Sequence, residues 1–273
     1  MLLRPSLPPE DWLALLESMP VPVLRATRES LALWQAESDR ADANVLAATV
    51  LRDPLMTLRL LTHVARRLND RLVTPVETVT AGLLLTGIEP FFRALGDLPV
   101  LEDLLQAQPA ALAGALHDIE RAHRAARLAA AFAIHRQDED AEVLHQAALL
   151  DNFAGLLIWC QAPALALEIA QLQQADPRLR SVDVQRQVLG VDLGTLEQEL
   201  MARWRLPVFL RELTRPTAAA RPGPRSVMLA VRIARHSQAG WDNAALPLDY
   251  EDLGRLLNLS PVAAAALVRQ QED

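Results

Sequence analysis

Residues 147–157 read AALLDNFAGLL, two apolar runs with Asp151-Asn152 set between them. An acid and an amide in so apolar a stretch cost free energy unless something pairs with them. Either the pair belongs to a metal site or its remnant, or it caps a helix starting near Phe153, as Asp and Asn do well. Arg121, Arg124 and Arg127 fall at i, i+3 and i+6. They form either an anion-binding stripe or a solvated helix face balanced by the chain's acids. His117-Asp118 is a literal His-Asp dipeptide in a polar, Arg- and Glu-bearing stretch, which reads as a solvated face. Cys160 has no basic residue within a turn and is expected to be a buried, inert thiol. Trp204 is expected to pack in the core, ahead of Pro207.

The elements that must position these groups are helices. Apolar residues recur at helical spacing in 9–17 and 21–36. Asp53-Pro54 is a strong helix start, and the helix it opens puts Leu55, Leu58, Thr62, Ala65 and Leu68 on one face. Thr74 and Glu77 make a capping box around Pro75, and Gly87 suits a left-handed cap. EPFFRAL is a short helix followed by Gly96. Residues 110–136 read as one long helix. Further helices are expected near 140–150, 154–160, 163–174, 182–189, 193–204, 207–214, 225–237, 250–257 and 261–270. Residues 216–226, PTAAARPGPRS, read as an exposed loop. No segment alternates with period two for long enough to demand a strand, so the expected fold class is all-α.

Composition narrows the function classes. The chain has 273 residues, 51% hydrophobic but only 4% aromatic, with ten Gly, a mix that favours helices. All 27 basic residues are Arg, and the net charge of −7 argues against general nucleic-acid affinity. One cysteine excludes an internal disulfide and any CxxC metal cluster. No signal peptide is recognised at the start, no charge-free apolar run reaches about 18 residues, and a cytoplasmic location is expected. The C-terminal 250–270 has a helix-turn-helix cadence. Its second helix opens PVAAAAL and has almost nothing with which to read a base, so DNA is not an expected partner.

In order, these pieces resemble an HDOD domain, the regulatory relative of the HD phosphohydrolases. The stretch 19–37 resembles the family's Pro-bracketed opening. LRDPLMTLRLLTHVAR (51–66) resembles its DP-x-L-x-x-(R/K)-(L/V)-L pattern, and 76–95 the helix pair that follows. AHRAARLAAAFA (122–133) resembles the helix opening the HD-like half. ALLDNFAGLLI (148–158) stands where the family shows a segment like LLHDIGKLLL. GVDLGTLEQELMARWRLP (190–207) resembles a later motif ending W-x-L-P. The resemblance implies residues 1–18 as an N-terminal helix and 19–273 as the domain. Within it, about 19–105 would form an N-terminal helical lobe and about 106–273 a degenerate HD-like lobe.

In active HD enzymes, imidazoles and carboxylates hold divalent metal that activates water for attack on phosphorus. The resemblance puts His123 at the first His and Asp151-Asn152 at the His-Asp pair. Asp192 is kept, but Leu193 replaces the His after it, and the later His-His pair falls near Arg215-Pro216 and is missing. The resemblance therefore implies a vestigial site at His123, Asp151, Asn152 and Asp192, with no catalytic residue, no metal and no cofactor. The expected role is regulatory, in signal transduction, through a protein partner, a nucleotide or another anionic ligand. A homo-oligomer is compatible with it and a membrane is not expected. Two alternatives stand beside this: a metal-dependent phosphohydrolase using His123, Asp151, Asp192 and His145, and, more weakly, DNA binding through 250–270. Alternatively, Asp192 simply caps the helix beginning at Leu193, and His123 is an ordinary hydrogen-bonded helix residue.

Overall fold

Asp53 shows how this sequence begins its helices. Its carboxylate accepts from the backbone N–H of Leu55 (2.9 Å) and Met56 (3.1 Å), capping α4 (Pro54–Leu68), as Asp-Pro predicts. The other oxygen accepts from Leu24 N–H at 2.7 Å, just before α2 (Arg25–Ala36). One side chain thus fixes two helix starts. Asp42 does the same locally for α3 (Ala43–Val50), accepting from Asn44 and Val45 N–H at 2.8 Å each. Periodicity does not mark α3, whereas the Asp42 cap does.

The computed structural model describes residues 7–37, 41–68, 76–95, 98–176, 178–215, 218 and 220–271. Before α2 comes α1 (Pro9–Ser18); after α4 come α5 (Val79–Thr86), α6 (Ile88–Leu95), the short α7 (Leu101–Leu104) and the 28-residue α8 (Pro109–Arg136). Then follow α9 (Ala141–Leu149), α10 (Phe153–Gln161), α11 (Pro163–Ala175), α12 (Ser181–Leu189) and α13 (Leu193–Arg203). The last four are α14 (Val208–Leu213), α15 (Pro222–His236), α16 (Leu246–Leu257) and α17 (Pro261–Arg269). Among the described residues the only extended pairing is an isolated bridge between Val23 and Val100, and the fold is all-α. Thr74, Pro75 and Gly96 lie outside the described residues, whereas Gly87 is left-handed (φ 79°) and closes α5 as expected. The expected loop over 216–226 needs correcting: Pro222 opens α15 and Pro224 is buried in its first turn, since proline suits that position.

Two compact units emerge from the contacts. The first comprises Met1–Thr74, Val79–Asp118 and Asn152–Leu206; the second comprises Pro75–Thr78, Ile119–Asp151 and Pro207–Asp273. At the centre of that unit is α10, buried from Phe153 to Cys160 and packed against α1, α4, α11 and α13. Phe153 lies 5.7 Å from Trp204, ring centre to ring centre, and Trp12 donates to Leu189 O at 2.9 Å. In the second unit α15 packs against α9, α14 and α16, and α16 against α17. That last hairpin turns on left-handed Asn258, with Ser260 capping α17. Gly254 is required there, because a Cβ would sit 2.6 Å from Leu259 O. The apolar stretch Ala141–Gln161 has the length and hydropathy of a membrane span, but 83% of its apolar window is buried, as core helices are.

Candidate ligand cavity beside Asp151

The sequence-selected residues divide between the two units. Asn152, Asp118 and Asp192 belong to the first. Asn152 stands at the N-cap of α10 but makes no side-chain cap bond, which corrects the capping expectation. Its Nδ2 donates instead to Asp118 Oδ2 at 3.4 Å, and Trp159 Nε1 donates to the same oxygen at 3.0 Å. Asp118 is therefore half-buried and engaged, not on a solvated face; His117 beside it is exposed. The start of α10 is held from α13, where buried Glu197 accepts from Ala154 N–H at 3.2 Å. Asp192 caps α13 through Thr195 N–H (2.9 Å) and pairs with Arg186 (3.0 Å). Burial alone would raise its pKa, but the bonds from Thr195 and Arg186 outweigh it and hold the carboxyl below the usual range. Its capping role is the alternative to a vestigial ligand.

The arginine stripe lies in the second unit, on α8, and its members reach different partners. Arg121 donates to Gln238 Oε1 (3.3 Å), Arg124 to Ser237 O (3.0 Å) at the end of α15, and Arg127 to Gln271 O (3.3 Å) beyond α17. A cation at a helix C-terminus meets the negative end of its dipole, so Arg124 is an end-clamp for α15. His123 is half-buried on the same helix, close enough to His145 to help lower that imidazole's pKa. Burial is the larger cause for His145, and Glu142 opposes it. Among the described residues no three His, Cys, Asp or Glu side chains gather where they could hold a metal ion. The irregular ligand set of His123, Asp151, Asp192 and His145 is thus not assembled.

Asp151 sits elsewhere in the second unit, in the wall of a cavity of about 210 Å3. Leu213, Pro224, Val227, Met228 and Val231 form its apolar side; Arg215, Arg232 and Arg235 bring the charge. One stretch of α15 supplies much of this, since 224, 228, 231 and 235 recur at helical spacing. Burial raises the Asp151 carboxyl to about 6, against the pull of Arg121 and then Arg235. Arg235 reaches solvent, yet its pKa is lowered by burial first and by Arg121 next, with Asp151 and Asp249 acting the other way. Neither side chain makes a hydrogen bond among the described residues. Arg232 and Arg235 were not singled out by spacing; their one-turn separation at the end of an apolar face was the available signal. Arg215 was noted only as the place of a missing His-His pair.

The HDOD domain model matches residues 22–219. The chain belongs to the HDOD family. The HDOD chain also superposes on the MmoQ response regulator from Methylococcus capsulatus with TM-score 0.70 and 20% identity, covering 92% of this chain and 98% of that one. A virulence factor from Campylobacter jejuni gives TM-score 0.66 at 19% identity, over 97% and 98% of the two chains. An HDOD domain protein with unknown function from Geobacter sulfurreducens gives 0.52 at 14%, over 96% and 95%. At these identities the likeness is one of fold. No curated protein matches the chain. Asp151 and Arg215 both lie in the cavity wall.

Other expectations from the sequence meet the structure directly. Cys160 is buried, its thiol pushed up to about 12 by burial and then by Asp53, so it is no nucleophile. Trp204 is core. On α17 the first turn offers Val262, 81% exposed, and alanines, with no polar side chain after Ser260 to read a base.

Proposed function

We propose that this HDOD protein is a non-catalytic regulator in signal transduction, which binds a small anionic ligand in the cavity beside Asp151 and passes its occupancy to a protein partner. The observation that carries the proposal is the cavity's wall, where three guanidiniums stand with a carboxylate that makes no side-chain hydrogen bond; of these, Asp151 and Arg215 fall where the family resemblance sets HD ligand positions. Guanidinium is the group best suited to fork-like contacts with carboxylate and phosphate oxygens. The likeness to a response regulator supports a signalling role without naming its input. A ligand of this kind acts by binding one conformation of the protein better than another.

Two measurements test the reading. A thermal-shift screen of small anions should raise the unfolding temperature of the wild type and not of Arg235→Ala. Hydrolysis of bis(4-nitrophenyl) phosphate with added manganese, iron or zinc should stay at the level of a protein-free control. Metal-dependent turnover that disappears in both His123→Ala and Asp151→Ala would overturn the non-catalytic reading.

A further inference from the structure

A second cavity, of about 410 Å3, opens within the second unit and shares no lining residue with the one beside Asp151. Its volume falls in the roughly 300–1,000 Å3 range of small-molecule sites. One face of α8 supplies most of the lining, because 127, 131 and 135, and 130 and 134, recur at helical spacing. His145 of α9 and Leu267 of α17 complete it, with Gln271 just beyond. Along this wall Ala130 and Ala131 are small, and Ile134 is left 70% exposed. Covering that isoleucine and Leu267 with hydrocarbon removes apolar surface from water.

The charge in the lining has one sign. Arg127 brings a guanidinium whose Nε donates to Gln271 O at 3.3 Å, and among the described residues no Asp or Glu lines the cavity. A charge acts through space, so its pull on an anion requires no unused N–H. His145 adds a directional group. Its Nδ1 is buried and makes no hydrogen bond, which leaves Nε2 as the nitrogen that can meet a ligand. Burial lowers its pKa, His123 adds to that and Glu142 opposes it, so the ring is neutral at pH 7. A neutral imidazole carries one N–H, and an acceptor at Nε2 draws the proton to that side. We infer that this cavity binds a medium-chain monocarboxylate, its hydrocarbon on Ala130, Ala131, Ile134 and Leu267 and its carboxylate accepting from His145 Nε2 in the field of Arg127. The inference stands apart from the anion reading of the Asp151 cavity.

Calorimetric titration at pH 7 with octanoate, butanoate and octanamide tests it. Octanoate should bind about tenfold tighter than butanoate, which is too short to cover the apolar wall, and about tenfold tighter than the uncharged octanamide. Ala131→Leu fills the cavity with a residue that helices favour, and should weaken octanoate about tenfold without lowering the unfolding temperature. Arg127→Gln should weaken octanoate roughly fivefold and leave octanamide unchanged, whereas His145→Phe, which keeps a ring and removes the donor, should weaken both. Titrations repeated on Arg235→Gln separate the two cavities. Octanoate binding that survives in that variant supports this site; binding that it abolishes belongs beside Asp151, and would overturn this site while leaving the other reading intact. Octanoate no tighter than octanamide would overturn the carboxylate assignment, and octanoate no tighter than butanoate the hydrocarbon one. Undiminished binding in Ala131→Leu, or no binding of octanoate at all, would overturn the site itself.

Discussion

Asp53 and Asp151 are both carboxylates whose pKa is raised first by burial, one in each unit, and what surrounds them differs in kind. Asp53 is wholly buried and accepts from three backbone N–H groups, of Leu24, Leu55 and Met56. Those donors are fixed by the helices that carry them and cannot turn to anything else. Asp151 has no such donors; its opposing charges sit on two long arginines. Guanidiniums on flexible stems can be redirected to an incoming anion, whereas helix-end N–H groups cannot. The first carboxylate belongs to folding; the second is the one that the proposed function assigns to binding.

The largest effect expected from this contrast is on stability. Asp53→Ala should cost about 3 kcal/mol in urea denaturation, because a cap is lost and buried donors are left without an acceptor. Asp151→Ala should change stability at neutral pH by no more than about 0.5 kcal/mol, having no hydrogen bond to break. Similar losses in the two variants would break the comparison. A second pair sharpens it at the neighbouring residue. Glu197→Ala should cost about 2 kcal/mol, since it strips the acceptor from Ala154 N–H at the start of buried α10. Asn152→Ala, removing a long 3.4 Å contact from the nominal cap position, should cost about 0.5 kcal/mol in the same assay.

Much of the folding half of this contrast was legible from residue types. Asp53-Pro54 announces its cap because both preferences are local, and Gly87, Asn258 and Ser260 mark their turns for the same reason. Asn152 misled because its cap position is real while its side chain prefers Asp118, a partner 34 residues away. The binding half was only partly legible. Asp151 stood out as an acid in an apolar run, but Arg232 and Arg235 look like any arginines on an amphipathic helix until α15 and the end of α14 are folded together. The arginine stripe that the spacing did pick out donates to Gln238, Ser237 and Gln271.

The pH dependence of stability gives the finest separation of the two roles. The folded pKa of Asp151, about 6, lies above the roughly 3.9 of an unfolded aspartate. Between about pH 4 and 6 the native state therefore holds more of this proton than the unfolded chain does, and stability attributable to Asp151 falls as pH rises through that window. Partial exposure of the side chain screens the effect to the order of 1 kcal/mol. Asp192, whose pKa is lowered, contributes with the opposite sign, losing stability as pH falls below the ordinary carboxylate range, so the slope must be read as a difference between proteins. Urea denaturation of the wild type and Asp151→Asn from pH 4.5 to 7.5 should show the variant gaining on the wild type as pH rises, because it carries no proton to lose. Parallel curves would mean that Arg121 and Arg235 already cancel the cost of burying the charge. In that case the cavity's second cation would be fully committed to Asp151, and the case for an incoming anion would rest on Arg215 alone.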